Sequence, residues 1–282
     1  MKKIKVTLSA NAGVCVDICG KRIWVDALHS KKVPSFSTVS PALLGKLLAA
    51  PEFENPDAIC YTHCHPDHFS REQTRQALEK WQEAKVFLPQ SQFPQQMLVE
   101  GETWEFSLGE VTLRFLRLPH EGARYADTIH YGLLILSPQG NVLLSGDCAV
   151  GAPELLAAVA GIPVDVAILD FPWMTLGKGR TALESLNPGQ IILYHLPFPE
   201  DDENGFLASA EKAALRWEKG NVRILHTPLQ TETLSPQTCH FSGSCKFQKP
   251  CHPECSEAIL KGMLASGKHT IISRSGIEGS FH

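Results

Sequence analysis

The chain opens on short apolar runs broken by turn residues. Val14 to Cys19 and Arg22 to Val25 read as strands about a turn at Gly20, with Asp26 ending the second. Residues 30 to 57 form a loop-rich excursion with one helix around Ala42 to Ala49, and "AICYT" is a short buried strand. Ser70 and Gln73 have the spacing of a capping box, which opens a helix running to about Ala84 with Ala77, Leu78, Trp81 and Ala84 on its buried face. Further strands are expected at Lys85 to Leu88, Thr103 to Phe106, Val111 to Leu118, Tyr131 to Leu136 and Asn141 to Ser145. After Gly146 the rhythm changes to helices near 153–160, 180–186 and 206–218 alternating with strands at Val164 to Leu169, Gln190 to Tyr194 and Val222 to Leu225. A β-rich half followed by an alternating half predicts an α/β sandwich, sheets inside and helices outside.

The pattern changes again near 230. Residues 231–282 carry Cys239, Cys245, Cys251 and Cys255 in "CHFSGSCKFQKPCHPEC" and are read as a Cys-rich appendage to a domain spanning 1–230. Four thiols suit a structural zinc or an iron-sulfur cluster, with His240 and His252 as substitutes, although neither the Cys-x-x-Cys knuckle nor the ferredoxin spacing is present. Unligated thiols are the plain alternative.

Composition narrows the choice of function. A net charge of -4, with no block of lysine and arginine, offers nothing to a nucleic-acid backbone. Ser9 and Asn11 interrupt what would be the apolar core of a signal peptide, and no segment has the length and apolarity of a membrane span. A reducing, cytoplasmic setting is expected, so the nine cysteines point to thiols or metal ligands before disulfides. Oligomeric state is not readable.

The chemistry concentrates in "THCHPDH", directly after a buried strand, where open α/β sheets place their ligands. His63 and His65, two apart in an extended loop, can turn both imidazoles to one side; Asp67 and His68 follow before the helix. Imidazole nitrogen and carboxylate oxygen suit zinc, and a catalytic site keeps one position open for water. A solvated histidine-rich loop is the alternative.

The string resembles the His-x-His-x-Asp-His signature of the metallo-β-lactamase superfamily, and further motifs follow in the family's order over about residues 5 to 228. The resemblance implies a four-layer αββα sandwich. It implies His63, His65 and His120 of "LPHEG" on one metal, Asp67, His68 and His195 of "YHLP" on a second, and Asp147 of "LLSGDC" between them. Asp26 in "WVDA" would buttress the metal loop, and Asp67 and Asp147 would be the catalytic carboxylates. "SANAGVCV" departs from many relatives in lacking a histidine often found there.

Two divalent ions are implied, zinc first, with manganese or iron as alternatives. The implied activity is hydrolysis of a small ester, lactone, thioester or phosphodiester by a metal-bridging hydroxide. Two rivals stay open: iron-dependent oxidation on the same fold, and an iron-sulfur redox or sensor protein. Arg124 is a candidate for an anionic substrate group; His130, Tyr125 and Asp127 could contact substrate or orient the ligands from behind, in what otherwise reads as a solvated loop. Asp170, after a strand, either points to the same rim or caps a helix. Residues 30–57 and the loop "PWMTLGKGR" would form the rim, and Cys64 and Cys148 would be small fillers.

Overall fold

A computed structural model describes residues 3–235 of the chain. Cys239, Cys245, Cys251 and Cys255 therefore lie outside the described residues.

Fourteen strands are described, and they form two seven-stranded sheets. The first contains β1 (Ile4–Leu8), β2 (Val14–Ile18), β3 (Lys21–Val25), β4 (Ala58–Cys60), β5 (Lys85–Leu88) and β6 (Met97–Leu98). The second contains β7 (Thr103–Leu108), β8 (Val111–Arg117), β9 (Tyr131–Leu136), β10 (Val142–Leu144), β11 (Val166–Asp170), β12 (Gln190–Tyr194) and β13 (Asn221–Ile224). The last strand, β14 (Thr231–Leu234), returns to the first sheet, and the strand orders are β14-β1-β2-β3-β4-β5-β6 and β13-β12-β11-β10-β9-β8-β7. Helices α1 (Pro41–Ala49) and α2 (Arg71–Lys80) follow strands of the first sheet. Helices α3 (Pro153–Ala158), α4 (Pro172–Thr175), α5 (Gly177–Leu186) and α6 (Phe206–Leu215) serve the second.

Side-chain alternation explains the layering. In β9 to β12, Leu133, Ile135, Val142, Leu144, Val166, Ile168 and Ile192 join the core between the sheets. Their neighbours Leu134, Leu143, Ala167, Leu169, Ile191 and Leu193 pack with Leu155, Trp173, Leu183 and Ala210 of the outer helices. A strand buried on both faces needs apolar residues at every position, which is why these runs do not alternate in sequence. On the outer face of the first sheet, Trp24 meets Phe53 and Trp81 edge-on, with ring centroids 5.4 and 5.2 Å apart. This is the expected α/β sandwich.

Several boundaries differ from expectation. Cys19, expected in a strand, occupies the turn with Gly20; both have positive φ, 53° and 71°, as a two-residue type I′ hairpin requires. Helix α2 stops at Lys80. Ser70 accepts from the Gln73 amide as foreseen, but the Gln73 side chain donates to the Val39 carbonyl instead of closing the box. The stretch "PWMTLGKGR" is helical, split between α4 and α5. Residues 231–234, assigned by sequence to the appendage, pair with β1 in antiparallel register from Ile4↔Leu234 to Thr7↔Thr231 and so belong to the core fold.

Strands β3 and β4 run parallel in one sheet, and β10, β11 and β12 run parallel in the other. Their carboxyl ends supply Asp26, the loop 61–68, Asp147, Asp170 and His195. Backbone bonds tie the two sheets there: the Tyr131 amide donates to the Thr62 carbonyl at 2.9 Å and the His195 amide to the Asn11 carbonyl at 3.1 Å. Among the described residues no helix is long and apolar enough to cross a membrane.

Candidate metal centre

Asp26 is the anchor of the site. Fully buried and at φ 49°, it accepts from the Thr62 amide (2.8 Å) and the Thr62 hydroxyl (2.6 Å), and from Nδ1 of His68 (3.0 Å). With its hydrogen given to Asp26, the Thr62 oxygen accepts from Nδ1 of His63 at 2.9 Å. His120 donates Nδ1–H to the Glu121 carbonyl at 2.8 Å. These partners place the ring proton on Nδ1 in all three histidines and leave Nε2 as a lone-pair donor, the pattern of outer groups that orient metal-binding imidazoles.

The three free nitrogens converge on Asp147. Nε2 of His68 lies 3.0 Å from Asp147 Oδ1, and Nε2 of His63 and of His120 lie 3.8 and 3.6 Å from Oδ2. His195, at φ 56°, turns Nδ1 to 3.6 Å from Asp147 Oδ1 and 2.9 Å from Asp170 Oδ1, while Phe36 stacks on its ring at 4.7 Å. Ligand atoms of His63, His65 and His120 fall within 4.8 Å of one another, as do those of Asp67, His68 and His195, and those of Asp147, Asp170 and His195.

Whether such a set fits metal ions can be judged from its unpaired atoms. Nε2 of His63, His68 and His120, and Oδ1 of Asp147, are buried without a hydrogen-bond partner among the described residues. Orphaned buried polar atoms cost about 1–3 kcal/mol each unless something pairs them, and cations held between these groups would pair them. Electrostatics points the same way. Burial disfavours charge on His68, but Asp147 and Asp26 outweigh it and hold its pKa well above the ordinary range. Burial likewise opposes charge on His195, which Asp170 and Asp147 nevertheless raise to about 9. Burial works against the Asp147 carboxylate too, and His68 and His195 hold it well below its usual range. The residues fit two divalent cations.

All seven sequence-predicted ligands are thus brought together, with Asp26 behind them. The other candidates separate. Arg124 is exposed and lies over Tyr125 (4.5 Å from the ring centroid), whose ring is in turn 4.9 Å from both His65 and His120. His130 is neither in a solvated loop nor facing substrate. It is fully buried behind His63 and His120, with ring centroids at 5.3 and 5.6 Å, and burial lowers its pKa to about 3. Cys148 is buried and Cys64 partly so, with burial pushing the Cys64 thiol up to about 12, so both remain protonated. Asp170 caps no helix: the cap of α4 is Phe171, without a side-chain bond. Sequence reading left Asp170 between the rim of the site and a helix cap and did not single out Phe36. The signal for Asp170 was its place at the end of the apolar run "VAILD", parallel to the run that precedes Asp147.

Two facing mixed sheets that gather imidazoles and carboxylates at the carboxyl ends of their strands define a metal-binding α/β sandwich. The family model described as the beta-lactamase superfamily domain matches residues 21–196, and the chain belongs to that family in its metallo-β-lactamase form. No curated protein gives a significant match. Among solved structures, the fold is similar to that of Igni18, a metallo hydrolase from Ignicoccus hospitalis (TM-score 0.59, 19% identity, covering 83% of this chain and 99% of that one). It is also similar to an isothiocyanate hydrolase from Delia radicum gut bacteria (TM-score 0.56, 16% identity, 84% and 100% covered). CmlA, a diiron beta-hydroxylase from Streptomyces venezuelae, shares the fold as well (TM-score 0.53, 16% identity); 83% of this chain is covered, but it spans about half, 54%, of CmlA.

Proposed function

We propose that the protein is a binuclear metal-dependent hydrolase acting on a small ester, lactone, thioester or phosphodiester. The observation that carries this reading is the convergence of three oriented, unpaired Nε2 atoms on one carboxylate, Asp147. His63, His65 and His120 would hold one ion, Asp67, His68 and His195 the other, with Asp147 shared. Divalent ions held by these residues would lower the pKa of a coordinated water from about 15.7 toward about 7 and so supply a hydroxide nucleophile at neutral pH.

The chain's own residues do the rest. Asp26 and Thr62 fix the tautomers of His68 and His63, so that no reorientation is needed when charge develops. Phe36 and Tyr125 wall the imidazoles of His195, and of His65 and His120, with apolar rings. Arg124, exposed and over the Tyr125 ring, would be the residue to meet an anionic group of the substrate. The net charge of -4 and the lack of a basic block favour a small substrate over a polyanion.

The test is metal content with a visible spectrum on anaerobically purified protein, followed by an ester and phosphodiester screen of the wild type and Asp147→Ala. Two colourless ions per chain at the core ligands, with hydrolysis falling at least about 1000-fold in Asp147→Ala, is the expected result. Iron with dioxygen consumption and no hydrolysis would replace this reading by an oxidoreductase.

A further inference from the structure

Asp170 stands at the carboxyl end of β11, in register with Tyr194 and next to His195. Its Oδ1 is 2.9 Å from Nδ1 of His195, and both lie near Asp147, whose Oδ1 is 3.6 Å from the same nitrogen. Two readings are open for such a contact. The carboxylate could hold the imidazole by a hydrogen bond, as Asp26 holds His68, or the two atoms could converge on a common cation.

The geometry distinguishes them. Asp26 and His68 form an aligned hydrogen bond at 3.0 Å. At a similar separation Asp170 Oδ1 has no hydrogen-bond partner among the described residues, so the short contact is not an aligned N–H···O bond. A contact near 3 Å without an aligned hydrogen bond likewise joins Nε2 of His68 and Oδ1 of Asp147, both members of the ligand set. Two ligands of one ion stand at about this distance when metal–ligand bonds are about 2.1 Å and meet near a right angle. Asp147, Asp170 and His195 also offer ligand atoms that all lie within 4.8 Å of one another.

We propose that Asp170 is a further direct ligand of the second metal ion, alongside Asp67, His68, Asp147 and His195. The inference rests on the two-metal reading of the site. It makes the two positions chemically unlike. The first holds three imidazoles and one shared carboxylate, a set that suits zinc. The second holds two imidazoles and three carboxylates, harder and more oxygen-rich, and suits manganese or ferrous iron better than its neighbour does.

The test uses full-length protein, stripped by a chelator and titrated with manganese and with zinc. Metal per chain is counted after gel filtration, and manganese is followed by electron paramagnetic resonance. The variants are Asp170→Asn and Asp170→Ala, with thermal unfolding of the stripped protein as the check on folding. Wild type is expected to bind two ions. Both variants should bind the first ion normally and the second more than about 100-fold more weakly, beyond the about 10–100-fold that loss of an orienting hydrogen bond costs. Manganese should lose more than zinc. If Asp170→Asn keeps the second ion at wild-type affinity and manganese preference, Asp170 only holds His195, and the proposal fails although the two-metal reading stands. A wild type that binds fewer than two ions would sink that reading itself.

Discussion

At the residue scale, His63, His68 and His120 each have one ring nitrogen committed and one free. Thr62 shows how much this depends on a side chain that touches no metal. Its oxygen donates to Asp26 and accepts from His63, and all three residues are buried. Thr62→Val keeps the shape and removes both bonds, leaving Asp26 Oδ2 short of a donor and His63 Nδ1 without an acceptor. The expected cost is about 1–3 kcal/mol in urea unfolding of the metal-free protein, together with about 10–100-fold weaker metal binding by competition with a chromogenic chelator. A variant with wild-type affinity would show that the His63 tautomer is set elsewhere. Gly146 makes a steric demand of the same kind: at φ +53°, an added Cβ would stand 2.7 Å from Nε2 of His130 and 2.9 Å from the Thr62 methyl. Gly146→Ala should therefore lower the thermal midpoint of the stripped protein and displace the Asp147 carboxylate, reducing bound metal below two per chain. Much of this site was legible in the sequence, because His63, His65, Asp67 and His68 sit within six positions and the outlying ligands each end an apolar run. Asp170 was not, since a lone aspartate after a strand looks the same whether it caps a helix or faces a centre built from distant strands. His130 misled because a ring that packs on it, His63, comes from a loop more than sixty positions earlier.

At the element scale, the runs that read clearly were those with a local cause: the turn at Gly20, the cap at Ser70, the doubly buried strands of the second sheet. What could not be read locally was pairing over long separations. β14 has only four residues, and its place is fixed by β1, more than two hundred positions earlier. Its Leu234 is fully buried and its Thr231 hydroxyl bonds that of Thr7 at 2.8 Å. This makes a boundary prediction. A chain ended after Ser235 keeps the sheet complete, whereas one ended after Gln230 leaves β1 as an unpaired edge and uncovers the apolar surface beneath Leu234. The shorter chain should unfold at lower urea concentration and aggregate more readily on gel filtration. Equal stability of the two would mean that β14 adds nothing to the sandwich. Helix α4 and the first turn of α5 were read as a rim loop for a different reason. The two glycines and the lysine of "LGKGR" signal a turn, yet Gly179 lies so close to Trp173 that a Cβ would stand 2.3 Å from its carbonyl, so glycine here serves packing between helices.

At the scale of the whole molecule, folding buries histidines in two opposite electrostatic settings, and pH separates them. His68 and His195 face carboxylates and have raised pKa values, so their contribution is complete below the unfolded value near 6.5 and is lost as pH rises through the folded one. His29 is the reverse case, and it lies outside the ligand set. Fully buried, with Nε2 donating to the Ala10 carbonyl at 3.2 Å, it has its pKa lowered to about 4, chiefly by loss of water. Between about pH 6.5 and 4 the unfolded chain takes up a proton at this position that the folded chain refuses, so stability falls as pH falls. One such group removes about 1.4 kcal/mol per pH unit across that window, on the order of 3 kcal/mol in all. Burial lowers His63, His65 and His130 in the same direction, so the total slope belongs to several groups and a difference measurement is needed. In chelator-treated protein, His29→Gln keeps a donor for Ala10 but cannot be protonated. Its urea-unfolding free energy should therefore fall with acid by about one proton's worth less than wild type between pH 6.5 and 4, and match the wild-type slope above pH 7. Parallel curves through the acid window would mean that His29 gains its proton without unfolding the loop that joins β1 to β2, and that this end of the sandwich opens more readily than its burial implies.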